Sequence, residues 1–462
     1  MAQGMQGVTG AKRLWSLAAL PWGLAALPML AQGVSLPATD PVGIARSGVQ
    51  VAYGYSLEAA SLNPALLASL RESKGFFLSA GLEMQSSQVS LESNQRTWYS
   101  TDRNRSLAAF GAAYRRSPAL TLGLKFDTPF QRHGQFALDA ANRFLGDGID
   151  LSARRLEAQA AWSLSPAFSL GLGLGVARLS YGSGTVLRAG IPLDPSQPAS
   201  ATNPMDGLLE QGVSQTGAKT VPSYSLGARW AVNPRWTLGF AYQSGYKADL
   251  ALSAGFQGGL LGVYNNAGQP LANLGTTARA ATLAGLMTPV AGGGRLELPA
   301  RTSLGVRHRL NSLITWEADL RWTAAGLTVP DFAQLQTPSG PVAGPAALPR
   351  ELGHLGMGLS AEVALGKRWT LRAGAFFDRN SVEEAQAEPL LGGARQATFS
   401  AGAGCRIWGG EVNLGYQYRQ SKDQDVRNLD GTWSVGGFQA TGTRTRVEGM
   451  GHLFAIGYKR TF

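Results

Sequence analysis

Apolar and polar residues alternate with a period of two at many places along the chain, the signature of half-buried strands. Ile314, Trp316, Ala318, Leu320 and Trp322 alternate with Thr315, Glu317, Asp319 and Arg321. The same beat recurs from Leu120 to Asp127, Phe168 to Val176, Trp236 to Gln243 and Glu411 to Arg419. Each segment has about 10 residues, the length of a tilted strand that crosses a bilayer. One face is Leu, Phe, Trp and Tyr, and the other is small or charged. In a soluble barrel the large side chains of every strand would have to fit inside. In a membrane barrel they meet lipid and the polar face lines the lumen, and this is the reading the pattern favours.

The breaks in the pattern give a topology. Six tight connections are expected at Ser117-Pro118, Ser165-Pro166, Asn233-Pro234, Asn311-Ser312, Gly366-Lys367 and Gly409-Gly410. Pro, Asn and Gly suit short reversals. Between the pairs lie longer stretches, roughly 91–104, 129–151, 183–220, 252–296, 326–350, 379–394 and 422–445. Short turns alternating with long loops is the pattern of an outer-membrane barrel with short periplasmic turns. Six hairpins give twelve strands. A first strand near 75–90 and a last near 446–462 make about fourteen, an all-β transmembrane antiparallel barrel with both ends periplasmic.

Composition agrees. Only 15% of the 462 residues are charged, against about 25% in soluble domains. Glycine, 60 residues, has about twice its usual share. One cysteine, Cys405, excludes an intramolecular disulfide and a Cys-rich metal cluster. The net charge of +11 is spread along the chain, and nucleic-acid binding needs a concentrated basic stripe. A diffuse excess fits anionic headgroups at a membrane surface better.

The N-terminus reads as a secretory leader, residues 1–31: Lys12-Arg13, then an apolar run, then small residues at Ala31-Gln32-Gly33. Pro21 and Pro28 weaken the alternative of a membrane anchor helix. Loss of Lys12 and Arg13 with the leader leaves +9 (39 basic minus 30 acidic). Residues 32–74 are too long and too apolar for a periplasmic tail, and a barrel of this width, residues 75–462, needs filling. A plug inside the lumen is the economical reading.

This plug segment, ARSGVQVAYGYSLEAASLNPALLASL, carries Asn63-Pro64-Ala65 just before the first strand. With the stretches 123–130, 236–250 and 298–323, it resembles the FadL/TodX-type outer-membrane transporters of long-chain fatty acids and other hydrophobic compounds. The glycine-rich lead into that family's hatch is reduced here to Gly43, Gly48 and Gly54, and the loops do not align. The resemblance implies passive uptake: docking in the outer loops, a pocket above the plug, a shift of the hatch, and lateral exit beside an inward kink in the third strand. Gly123 is the expected kink. Asn63 would hydrogen-bond the wall and Pro64 would stiffen the hatch turn. The expected partners are a fatty acid or hydrocarbon, the bilayer with its lipopolysaccharide, and the barrel-assembly machinery, which would read the aromatic C-terminal strand ending at Phe462. A monomer is implied, with no cofactor, metal or nucleic acid.

Within 183–220 and 252–296, Leu208, Leu209, Phe256, Leu260, Leu261, Leu283, Leu286 and Met287 are candidate ligand contacts, or else pack loop on loop. The lumen-face charges Lys125, Asp127, Glu317, Asp319, Arg321, Arg372, Glu411 and Arg419 read as ion pairs bracing wall against plug, or as a polar path for a carboxylate. An enzyme would need an oriented base, and the nearness of His308 to Ser312 is not a triad. His133, His354 and His452 stand alone in the sequence. The competing reading is a barrel that serves secretion or surface attachment without transport.

Overall fold

The computed structural model describes residues 36, 38–53, 57–91, 97–100, 104–136, 146–189, 208–264, 270–272, 285–337, 340–342, 353–378, 396–426 and 445–462. The expected leader falls outside them. Fourteen antiparallel strands form a closed barrel. The first seven are β1 (Lys74–Leu91), β2 (Arg105–Ser117), β3 (Leu120–Gln135), β4 (Gly148–Ser163), β5 (Phe168–Ala189), β6 (Leu208–Ala231) and β7 (Trp236–Gln243). The others are β8 (Arg301–Arg309), β9 (Ile314–Thr323), β10 (His354–Leu365), β11 (Trp369–Asp378), β12 (Gln396–Ile407), β13 (Gly410–Val426) and β14 (Thr445–Thr461). Closure is β1 on β14, from Gly75↔Thr461 to Leu91↔Thr445.

The alternation is what closes this barrel with its apolar face outward. Leu122, Leu124, Leu170, Leu174, Phe240 and Leu320 are exposed to the surroundings, while Lys125, Glu157, Glu317 and Asp319 are buried inside. The six tight turns fall where the sequence places them, and four share one device. Ser117, Ser165, Asn233 and Asn311 each accept from backbone N–H groups two and three residues on. Such side chains replace the ladder partner lost at the reversal. At the last turn Trp408 and Gly409 have φ 52° and 70°, the two positive values of a two-residue hairpin loop.

The strands are longer than the alternation suggested. β5 and β6 have 22 and 24 residues, whereas about 9–11 cross the apolar layer. Much of 183–220 is therefore strand standing above the membrane. Ser253–Tyr264, expected as loop, extends this wall by pairing with β6. Tyr246–Asp249 pairs with Arg295–Leu298, and Thr288–Val290, Gln334–Thr337 and Gly340–Val342 form a small outer sheet.

Inside lies the segment before β1. It has one turn of helix, α1 (Pro41–Ile44), and two 3-10 turns, Glu58–Ser61 and Pro64–Ser69. Asp40 caps α1 by accepting from Gly43 N at 2.7 Å. From Val42 to Ala52 every residue is buried.

Candidate functional site

The plug is seated backbone to wall. At several of its closest contacts the inward wall position is glycine. A Cβ on Gly171 would strike Pro64 and Ala65, one on Gly227 would strike Asn63, one on Gly239 would strike Val51, and one on Gly374 would strike Arg46. Glycine permits this close approach because it carries no Cβ. Wall side chains then satisfy the plug's irregular backbone, as buried polar groups require. Lys125 Nζ and Gln243 Nε2 donate to Ser61 O at 2.8 and 3.1 Å. Arg301 donates to Leu36 O at 3.2 Å and Arg321 to Gly48 O at 3.1 Å. Val51 N and Ala52 N donate to Asp319 and Glu317 at 3.2 and 2.6 Å.

Asn63 is the joint of this seat. Its Nδ2 donates to Val51 O at 2.8 Å and to Ala228 O of β6 at 3.1 Å. Its Oδ1 accepts from Ala65 N at 3.1 Å, and Pro64 takes the first position of the 3-10 turn it caps. Ionic contacts reinforce the seat. Arg46 Nη2 lies 2.7 Å from Glu317. Tyr53 donates to Glu362, which pairs with Arg372, and Lys459 sits 3.5 Å from Glu58. The lumen charges Lys125, Glu317, Asp319, Arg321 and Arg372 thus act against the plug or its partners. Arg419 pairs with Glu83 on the wall.

Above the plug the lumen face changes character. Climbing β4 on one face, the residues are Glu157, Arg155, Ala153, Leu151 and Ile149. The last three join Phe130 of β3, Phe136 just past its end, Leu179 and Tyr181 of β5, and Val221 of β6 in one buried apolar cluster. Tyr246, Leu250, Leu296, Leu298 and Val329 fold in from the outer segments to cover it. Cations stand at its foot. Arg155 is paired with Asp127 at 2.5 Å, and the Arg301 guanidinium lies 4.9 Å from the Phe130 ring centre.

The wall breaks beside this cluster. β3 pairs with β2 only as far as Phe110↔Phe126. Its ladder with β4 slips between Asp127 and Phe130, leaving one extra residue in β3 at Thr128-Pro129. Such a bulge bends its strand. Beyond it Phe130 faces the lumen, so Gln131 and His133 lie on the strand's other face. Yet Gln131 donates to Glu83, a lumen-facing residue of β1, at 2.8 Å. Arg105, at the end of β2, likewise reaches His133 at 2.9 Å and pairs with Asp150. The outer face of β3 therefore rests on the inner face of β1 and β2, which places the upper half of β3 inside the barrel circle. Leu36 fills the seam: its N donates to Pro129 O at 3.1 Å, and its side chain packs with Leu107 of β2 and Leu453 of β14.

Several expectations are revised by this geometry. Gly123 pairs regularly with Ala113 and Gln159, and its open side admits Leu67 of the plug. The bend comes later, at Thr128-Pro129. Phe256 and Leu286 are exposed and Met287 is buried, but none of the three belongs to the apolar cluster. Leu208, Leu209, Leu260 and Leu261 lie in long strands rather than loops, and Leu283 lies outside the described residues. His308 packs against Trp236 in a tilted pair with ring centres 4.1 Å apart, the contact of an interface histidine rather than a catalytic base.

The family described as outer membrane protein transport protein (OMPP1/FadL/TodX) matches residues 24–462. Among solved structures, a Pseudomonas aeruginosa FadL homologue superposes with TM-score 0.69 at 17% identity, covering 93% of this chain and 100% of its own. The Pseudomonas putida toluene transporter TodX gives 0.62 at 14%, covering 92% and 99%. The Ralstonia pickettii toluene transporter TbuX gives 0.56 at 15%, also covering 92% and 99%. No curated protein matches the sequence.

Proposed function

Because the chain belongs to the OMPP1/FadL/TodX family of outer-membrane channels for hydrophobic compounds, a non-enzymatic family, we propose that it takes up long-chain fatty acids. The observation that carries this reading is the change along the lumen face of β4, from Glu157 and Arg155 to Ala153, Leu151 and Ile149. An apolar chain is stabilised over the upper residues by about 25 cal/mol per Å² buried. A carboxylate head is matched by Arg155 and Arg301 below. A neutral hydrocarbon would use the first and gain nothing from the positive charge of the arginines.

In this reading residues 1–31 are a cleaved leader and 32–74 the hatch. Ligand is collected at the outer surface, where Phe256 and Leu286 are exposed. It settles in the apolar cluster with its head at Arg301. That head competes with Leu36 O for the guanidinium, which loosens Leu36 from Pro129. Leu36 then uncovers the seam between β2 and β3, and the chain leaves sideways into the membrane. Asn63 and Pro64 hold the rest of the hatch as the pivot.

The test is displacement of a fluorescent fatty acid from the detergent-solubilised protein. Oleate should compete, its methyl ester and toluene should compete at least tenfold less well, and Leu151→Lys should remove binding. Toluene displacing as well as oleate would assign a monoaromatic substrate instead. No saturable binding of any apolar ligand would favour the scaffold reading.

A further inference from the structure

The periplasmic rim carries a charge pattern that passage through the lumen does not use. Its turns bear exposed basic side chains: Arg116 in the first, Arg235 in the third, Arg309 in the fourth, Lys367 and Arg368 in the fifth and Arg406 in the sixth. Arg71, Lys74 and Arg460 add to them from the chain ends. Glu72 is the one exposed acid among the described residues of this rim. Beside these cations stand exposed aromatics, among them Trp162, Trp230, Trp236 and Trp369, the girdle that marks a membrane interface. The cations are thus held at headgroup height.

The fifth and sixth turns and the C-terminal strand concentrate the pattern. Arg406 N donates to Arg368 O at 2.9 Å, which ties these two turns together. The Arg460 guanidinium lies 4.7 Å from the Phe462 ring centre and stands over Gly409. Between the arginines projects Trp408, which is 79% exposed. Trp408 also has φ 52°. Bulky residues rarely adopt this conformation, and an Asn-Gly pair suits such a turn better. Strain at an exposed aromatic is a pointer to function rather than to stability.

We propose that Arg368, Arg406 and Arg460, with Trp408 and Trp369 between them, form a binding site for an anionic glycerophospholipid of the inner leaflet. The guanidinium forks match phosphate oxygens. The indoles sit at the boundary of glycerol backbone and acyl chain, where one end is apolar and the other wet. Negative leaflet charge attracts such clusters and salt screens the attraction.

The experiment uses the full barrel reconstituted in phosphatidylcholine bilayers. Trace spin-labelled phosphatidylglycerol or spin-labelled phosphatidylcholine reports, by electron spin resonance, how much of each lipid the barrel immobilises. Wild type should favour phosphatidylglycerol about threefold at low salt, and the preference should shrink as salt rises. The triple variant Arg368→Gln/Arg406→Gln/Arg460→Gln should bring the two lipids to parity. Arg295→Gln, an exposed cation on the opposite side of the membrane, should leave the preference intact. Trp408→Asn should weaken it while relaxing the turn, and retained heat-modifiable migration on gels should show that every variant is folded. A preference that survives the triple variant, one that Arg295→Gln removes, or equal immobilisation by wild type would each overturn the site.

Discussion

Replacing Arg46 by methionine should unseat the plug, and replacing its partner as well should restore most of the loss. Arg46 and Glu317 are both fully buried and meet at 2.7 Å. Arg46→Met leaves a carboxylate in the lumen core. Breaking one side of a buried pair costs about 3–5 kcal/mol. Ala52 N–H still donates to Glu317 at 2.6 Å, so the loss should fall near the lower end, about 3 kcal/mol, or a rise of about 150-fold in the opening constant. Glu317→Gln keeps an acceptor for Ala52 and removes the charge. On that background Arg46→Met should cost less than about 1 kcal/mol, because no unpaired charge remains. Hydrogen exchange of the Val51 and Ala52 amides in nanodiscs reads the opening directly. Equal losses on the two backgrounds would mean that Arg46 holds the plug through Val49 O at 2.9 Å and the Tyr53 ring at 4.0 Å, not through charge.

Three further outcomes are expected. Gly227→Val should collide with Asn63 and Ala65, lift the plug and raise ion leak in planar bilayers, while Gly255→Val, which meets nothing, should leave conductance unchanged. Asn63→Ala removes the donor to Val51 O, at about 1–3 kcal/mol, and unties the plug from Ala228 O, which stays within the paired wall, and fatty-acid uptake by cells should fall at least several-fold; intact uptake would exclude Asn63 as the pivot. Burial, and then the Glu58 carboxylate, push the Asp40 carboxyl up to about 6. A raised acid binds its proton more tightly in the seated plug, so its contribution to seating is greatest at low pH and is lost as pH rises from about 4 to about 6. Plug amides should therefore gain protection between pH 7 and pH 5, by about 1 kcal/mol, and Asp40→Asn, which keeps the cap, should flatten that part of the profile.

The barrel was legible because its rule is local. A strand such as Ile314–Thr323 announces both faces by alternation, and the turns announce themselves through Ser, Asn, Pro and Gly. The strand ends were not legible. Above the membrane both faces of β5 and β6 can be polar or small, so Ser183 and Gly184 read as loop although they pair in register. The apolar cluster was lost for the same reason, since Ile149 and Leu151 fall in a stretch assigned to loop. The bend in β3 was misplaced because the sequence rule favours glycine, whereas Gly123 serves a contact. Thr128-Pro129 bends through the extra residue and through the donor that Pro129 lacks. The glycine excess was visible as a number, but its meaning needed the plug in place. Only then does Gly171 pair with Ala65, and Gly227 with Asn63, across long sequence separations.

The interrupted ladder between β2 and β3 has a mechanical consequence. A closed hydrogen-bonded hoop spreads tension around its circumference, and each intact seam yields little. Here the segment Arg105–Ala109 pairs with β1 on one side and has no ladder to β3 on the other. What spans the seam is side chains and the backbone of Leu36. Under lateral load from the bilayer the hoop strains there first, while the fully paired seams such as β5 with β6 stay stiff. The barrel is therefore most compliant across this seam, where changes in membrane thickness or tension are converted into width.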